Sequence, residues 1–235
     1  MSSLKPEMFQ LCKEVAGECE GWNFVGNVFK NKALKHTDLI VSPSFSFYGS
    51  DNPSCALQPA VHISHKKSLT LCKRIIGYEY STSFVRFDRA RDELKHYPVK
   101  MASLTIWRHK FPSFRDASGR EQPWSEYWLS FDEAKPVLKG MLMDGIALIN
   151  KYYDLSSEEN LLRHLPIDQK TEGAEESMGV MLCIAHVLLG DFEFVERYRS
   201  DDFKTELPKR LKEVDAIIAA LPELKRRYAE TGSVM

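Results

Sequence analysis

Apolar positions in the first twenty residues fall on one helical stripe. Met8, Phe9, Cys12, Val15, Ala16 and Cys19 recur at intervals of one to four, which predicts an amphipathic helix from Pro6 to about Glu20, ended by Gly21. The period then changes. From "WNFVGNVFKNK" onward the chain offers short runs rich in Val, Ile, Phe and Tyr, namely "TDLIVSPSFSFYG", "CALQPAVHISH", "YEYSTSFVRF" and "VKMASLTIWRH". These five runs are read as strands, and short connections carrying Gly, Asn, Asp or Pro, such as "YGSDNPS", favour antiparallel pairing. Between the third and fourth, "KKSLTLCKRIIG" reads as a short helix closed by Gly77.

Residues 108–123 are polar and aperiodic and read as a loop. "WSEYWLSF" alternates like a sixth strand. Helices then take over. Ser130 and Glu133 form a capping box ahead of "DEAKPVLKGMLMDGIALINKYY", where Pro136 either kinks the helix or stands at its first position. Ser156 and Glu159 form a second box for "SEENLLRHL". "EESMGVMLCIAHVLLG", "FEFVERYRSD" and "ELPKRLKEVDAIIAALPELKRRYAE" complete the run, and no strand is expected after Phe131. Strands first and helices afterwards imply an α+β fold, with an N-terminal helix, an antiparallel sheet of about five to six strands and C-terminal helices packed on it. The expected organisation is a sheet region over 1–130 and a helical region over 131–235, forming one compact body.

Composition bounds the functional classes. A chain of 235 residues, 43% hydrophobic and 28% charged, can bury a substantial core, and no apolar run reaches the ~20 residues that span a bilayer. The N-terminus lacks the apolar core of a secretory signal, and five scattered cysteines without CxxC spacing fit reduced thiols, so a cytoplasmic protein is expected. The net charge of -1 hides an asymmetry: residues 1–115 carry 17 Lys and Arg against 10 Asp and Glu, and residues 116–235 carry 15 against 23. Such a split can be ordinary solvated faces or a face that steers an oppositely charged partner.

The stretch most like chemistry is "PAVHISHKKSLTLCKR", where His62, His65 and Cys72 raise the question of a metal. On a strand His62 and His65, three apart, point to opposite faces and cannot share an ion. With Val61 and Ile63 facing the core, His62 falls on the outer face and His65 near the strand end beside Lys66 and Lys67, whose charges repel a cation. Cys183 and His186 share a helix face, but that face is apolar and offers no third ligand, so no metal and no cofactor are expected. Nucleophile elbows and glycine-rich phosphate loops are absent from the sequence, and no enzyme activity is expected. For nucleic acid, Lys30, Lys32, Lys35, Lys66, Lys67, Lys73 and Arg74 stand among strand aromatics, as a single-strand binder requires, although the pI near 6.7 is low for one.

The order of elements carries a resemblance. A Gly-Trp step leading to "FVGNVFKNK", then "LIVSPSFSF", the aromatic segment with Trp124 and Trp128, the long helix ending at Tyr152-Tyr153, a short helix, and the Leu189-Gly190-Asp191 turn between the closing helices resemble the bacterial domain-of-unknown-function family numbered 4304. The likeness spans roughly residues 8–200, and the chain departs from it around 86–123 and by its added C-terminal helix. The resemblance implies a small cytosolic bacterial protein without enzymatic activity, of the sort encoded beside secreted toxins as an immunity factor. On that reading the chain binds a cognate toxin and occludes it, and a basic toxin would suit the acidic back half. Asp154, Glu158, Glu159, Glu172, Glu175 and Glu176 would steer the encounter, with aromatics serving as anchors. The alternative is an RNA or single-stranded DNA module using the basic front half. A third reading, a hydrolase or metalloenzyme built from His62, His65, Cys72, Cys183 and His186, lacks an orienting carboxylate in the sequence.

Overall fold

The computed structural model describes residues 4–49, 52–98, 103–111, 113–115, 118–125, 127–166, 175–200 and 210–235. Its class is α+β, with an N-terminal helix, a five-stranded antiparallel sheet, a second sheet and C-terminal helices. The helices are α1 (Leu4–Gly17), α2 (Lys66–Ile76), α3 (Ala134–Tyr152), α4 (Glu158–Arg163), α5 (Glu175–Leu188), α6 (Phe192–Ser200) and α7 (Leu211–Thr231). Strands β1 (Asn23–Val25), β2 (Val28–Leu34), β3 (Thr37–Ser42), β6 (Ala60–His65) and β7 (Ser83–Arg86) form the five-stranded sheet in that spatial order. The second sheet runs β11 (Trp128–Ser130), β8 (Leu104–Trp107), β5 (Ser54–Leu57), β4 (Ser46–Tyr48), and β9 (Ser113–Arg115) pairs with β10 (Glu121–Pro123).

Two of the expected strands are each a pair of strands in different sheets, and proline is the reason. "TDLIVSPSFSFYG" breaks at Pro43, followed by Ser44 at φ 49°, into β3 and β4. "CALQPAVHISH" breaks at Pro59 into β5 and β6. A proline cannot donate to a ladder, so each run changes sheet where its N–H is missing, and the two corners are joined by the Gln58 N–H donating to Pro43 O at 3.0 Å. The stretch 108–123, expected as a loop, contains the β9–β10 hairpin, with Ser113 opposite Pro123 and Arg115 opposite Glu121. Strands only three residues long give no readable period. The sixth strand is shorter than its alternation implied and pairs parallel with β8, Trp128 opposite Thr105. Helix α1 begins at Leu4 and closes at Gly17, slightly earlier than the stripe indicated. Among the described residues no strand follows Phe131.

The chain divides into two compact units, residues 1–31, 40–61 and 86–148 in unit 1, and 32–39, 62–85 and 149–235 in unit 2. The change from strands to helices near residue 131 therefore lies inside unit 1. In unit 1, α1 buries Leu4, Met8, Cys12, Val15 and Ala16 and packs on β1 and β5. The Ser130–Glu133 box forms: the Ser130 N–H donates to Glu133 Oε2 at 2.9 Å, and Pro136 stands in the first turn of α3, where a missing N–H costs nothing. Further along α3, the buried Asp144 carboxylate accepts the backbone N–H groups of Lys95 (3.1 Å), His96 (2.8 Å) and Tyr97 (2.7 Å), and lies 2.9 Å from His96 Nδ1. Burial pushes its pKa up, yet these hydrogen bonds outweigh burial and hold it below the usual carboxylate value.

One turn earlier, Gly140 meets the same segment. A Cβ there would stand 2.8 Å from His96 O and 3.0 Å from His96 C. Gly140→Ala gains helix propensity of about 1 kcal/mol but forces backbone apart, an overpacking cost of about 1–3 kcal/mol, so a net loss of up to about 2 kcal/mol is expected in urea denaturation.

Unit 2 is centred on α5, whose Val180, Met181, Leu182, Cys183, Ile184, Ala185 and Val187 are all buried. Helices α2, α4, α6 and α7 pack on it. Helix α7 contributes Val214, Ile217, Leu221 and Leu224 at a three-and-four spacing.

Candidate functional site

The site is built on the segment where β6 becomes α2, in unit 2. Along β6 the burial alternates, Val61, Ile63 and His65 buried, His62 and Ser64 half-buried. His62 and His65 thus occupy opposite faces, as strand geometry dictates, and His62 stacks on Phe84 at 5.5 Å between centroids. His65 shares the face of Val61 and Ile63 and is only 1% exposed, because the strand stays in the core to its last residue.

His65 ends the strand and caps the helix. Its N–H donates to Thr82 Oγ1 (2.9 Å), and its Nδ1 accepts from the Ser68 N–H (3.3 Å) and lies 2.8 Å from Ser68 Oγ. Nδ1 is therefore the acceptor and Nε2 carries the proton, with no partner for Nε2 among the described residues. Burial pushes the His65 pKa down to about 4; Glu158 opposes that shift, and Lys67 and His36 add to it.

His65 borders a cavity of about 250 Å³. Lys67, Glu158 and Glu159 supply its charges, Leu162, Leu188 and Leu189 its apolar wall, and Tyr228, Ser233 and Met235 complete the lining. Serine capping places the two glutamates. Ser157, not Ser156, caps α4 by accepting the Asn160 N–H at 3.0 Å, while Ser156 is drawn to the Asp154 carboxylate, donating its N–H (2.9 Å) and hydroxyl (2.6 Å). Those bonds hold Asp154 below the usual carboxylate range, with the hydroxyl contribution largest. Glu158 accepts the His36 N–H, and Glu159 pairs with Arg163 at 2.8 Å. Tyr228 is seated over Gly190, whose φ of +78° and close approach to the tyrosine ring both exclude a side chain.

The remaining sequence candidates fall as follows. Glu172 lies outside the described residues, and Glu175 and Glu176 open α5, where only the backbone is described. Lys66 pairs with Asp38 (3.7 Å), Lys73 with Glu79 (3.3 Å), and Arg74 donates to Val234 O (2.7 Å). Lys32 and Lys35 are exposed in unit 2, whereas Lys30 is half-buried in unit 1. The basic and acidic halves of the sequence do not become basic and acidic bodies: unit 2 holds 18 Lys and Arg against 19 Asp and Glu, and unit 1 holds 14 of each.

Cys72 is buried, its thiol pushed up by burial and donating to Tyr78 O at 3.4 Å. Cys183 is fully buried, its thiol pushed up to about 12. His186 has the orienting carboxylate that the sequence pattern did not reveal: its Nδ1 lies 2.8 Å from Asp191 Oδ2, and its ring stacks on Phe194 at 3.5 Å. Asp191 also accepts the Phe194 N–H at 3.2 Å, so the pair joins α5 to α6. Burial lowers the His186 pKa, with Asp191 opposing. Among the described residues no group of three or more His, Cys, Asp and Glu could hold a metal ion, and no helix is long and apolar enough to cross a membrane.

Unit 1 carries a separate surface feature. Trp107, Phe111, Trp124 and Trp128 form a half-buried cluster with centroid distances of 5.0 to 5.7 Å. Lys110 Nζ stands 5.6 Å over Trp124, Arg108 lies 5.5 Å over Phe131, and Trp107 Nε1 is buried without an acceptor among the described residues. Mutual edge-to-face packing gathers these rings although they come from three segments. Comparison of the chain with protein-family models, curated proteins and solved structures finds no match to any of them.

Proposed function

We propose that this chain is an interaction protein that binds a protein partner and occludes it, in the manner of a cytoplasmic immunity protein against a secreted toxin. The observation that carries the reading is the aromatic cluster of unit 1, three tryptophans and a phenylalanine in contact and partly open to solvent, with Lys110 over Trp124. Trp and Arg are the residue types that dominate binding hot spots, since rigid rings lose little entropy and leave little polar surface to desolvate. The pattern resemblance to the family numbered 4304 supports the toxin-directed role. Even charge within each unit favours buried aromatic contact over long-range steering as the source of affinity.

The test uses the product of the gene beside this one. Co-expression should restore growth of cells making that product, and the two chains should co-purify. Trp124→Ala should weaken the complex by at least about tenfold, the loss expected when a hot-spot ring is removed. Failure of both rescue and co-purification refutes the reading. Lysine, arginine and open aromatic faces also suit unpaired bases, so mixed oligonucleotides belong in the same assay; affinity that falls steeply with salt would transfer the assignment to nucleic acid.

A further inference from the structure

We infer that the outward face of the four-stranded sheet in unit 1 binds a proline-rich segment of a protein partner in the polyproline II conformation. The inference rests on the proposed reading of unit 1 as the partner-binding unit and names the chemistry of the segment it takes. It starts from strand register. Tyr48 stands opposite Ser54, Ser54 opposite Trp107 and Trp107 opposite Ser130, so one row crosses all four strands on one face, and the row beside it runs from Ser46 to Trp128. The other face carries Cys55, Leu57, Leu104 and Ile106, all buried, with Phe9 of α1 against Phe47 on that side. The first face is therefore the open one: Tyr48 is 59% exposed, and Trp107 and Trp128 are half-buried.

Charge and spacing specify the ligand. Neither row holds a charged residue, so the face suits an uncharged segment and gives phosphates or charged side chains nothing along the rows to pair with. Lys110 belongs to the loop beyond them, over Trp124. Tyr48 and Trp107 stand two strand spacings apart, about 9.6 Å, with only Ser54 between them. A polyproline II helix repeats every three residues, about 9.3 Å. A segment crossing the strands thus sets one residue against Tyr48 and the third residue after it against Trp107. The rings shape what fits there. Trp128 meets Trp107 at 64° and Trp124 at 81°, so adjoining rings form corners that take a compact pyrrolidine, whereas stacked bases need open ring faces. Proline brings no N–H that needs an acceptor, and the carbonyls of such a segment can accept from the hydroxyls of Ser46 and Thr105 on the second row. Its backbone is already ordered before binding, so little entropy is lost.

Fluorescence anisotropy of labelled decaproline titrated with the full chain tests the face, with a labelled Gly-Ser peptide and a labelled single-stranded DNA of mixed sequence, both of the same length, as comparisons. Decaproline should bind with a dissociation constant of about 0.1 mM, and the Gly-Ser peptide at least about tenfold more weakly. Raising NaCl from about 0.1 M to about 1 M should change the decaproline constant by less than about twofold, since no ion pair is formed. Tyr48→Ala alters an exposed side chain and should weaken binding by about tenfold, whereas Tyr48→Phe keeps the ring and should stay within about threefold of the parent. The inference is overturned by no decaproline binding up to about 1 mM protein, by a Gly-Ser peptide that binds as well, by tighter and salt-sensitive binding of the DNA, or by Tyr48→Ala matching the parent. Co-purification with the neighbouring gene product is read separately: a partner that co-purifies while decaproline fails to bind leaves the proposed function standing and removes this inference alone.

Discussion

Asp144→Ala is expected to remove about 3–5 kcal/mol of stability, because it strands the buried Tyr97 N–H and takes the shared acceptor from the Lys95 and His96 N–H groups as well. The carboxylate is 2% exposed and gathers the N–H groups of Lys95, His96 and Tyr97 with a fourth contact to the His96 ring. Loss of one hydrogen bond costs about 1 kcal/mol when its partner stays solvated, but up to about 3 when the partner is left buried. Asp144→Asn keeps the shape and one acceptor oxygen while turning an amide NH₂ toward donors, so it should lose less than Ala and more than about 1 kcal/mol. Urea denaturation at neutral pH measures both, and a loss under about 1 kcal/mol for Ala would show that the segment 95–97 is held by something else. The depressed pKa has its own consequence. A carboxyl whose folded value lies below its unfolded one stabilises fully above the unfolded pKa and loses that contribution as pH falls through the folded value, so acid should weaken the clamp only below the ordinary carboxylate range.

What was legible in the sequence was local. The stripe from Met8 to Ala16, the Ser130–Glu133 box, and the αL cap at Gly77 (φ 95°) each depend on residues within a turn or two of one another. Strand faces were legible on the same ground, which is why His62 and His65 could be set on opposite sides without coordinates. Sheet membership was not, since nothing in "TDLIVSPSFSFYG" says that its two halves join different sheets; only Pro43 and Pro59 mark the corners. The Asp144 clamp joins residues 47 to 49 positions apart. The cavity draws on residues 65–67, 158–159, 188–189 and 228, a combination with no spacing to find. Its one sequence signal was the histidine at a strand-to-helix junction, which the metal question set aside. Charge bookkeeping failed for the same reason: segments 32–39 and 62–85 carry basic residues of the front half into the unit that holds most of the acidic back half. The orienting carboxylate of His186 is five residues away and still escapes the pattern, because the glycine turn at 190 brings Asp191 back over the helix end.

Lowering the pH from 7 to 4 should cost about 3 kcal/mol through His65 alone, with most of the fall above the range where carboxylates titrate. The folded pKa is near 4, against about 6.5 in the unfolded chain. As pH drops through 6.5 the unfolded chain takes up the proton and the folded protein does not, so the neutral imidazole's contribution is present above about 6.5, declines between 6.5 and 4, and is gone below. The ring resists protonation chiefly because it is buried. A protonated ring also loses the Nδ1 lone pair that accepts from Ser68, removing the cap of α2, and it faces Lys67 while Glu158 offsets part of the new charge. His62 and His186 are also held below their ordinary values by burial and act in the same direction, so the wild-type curve alone does not isolate His65. His65→Asn does. Asparagine is a good helix cap and stays neutral throughout, so the variant should give a flatter dependence, and the difference between the two urea-midpoint curves from pH 7 to 4.5 should reach about 2 kcal/mol or more. Parallel curves would mean that His65 ionises with its ordinary pKa in the folded protein, and that neither its burial nor its bond to Ser68 holds it neutral.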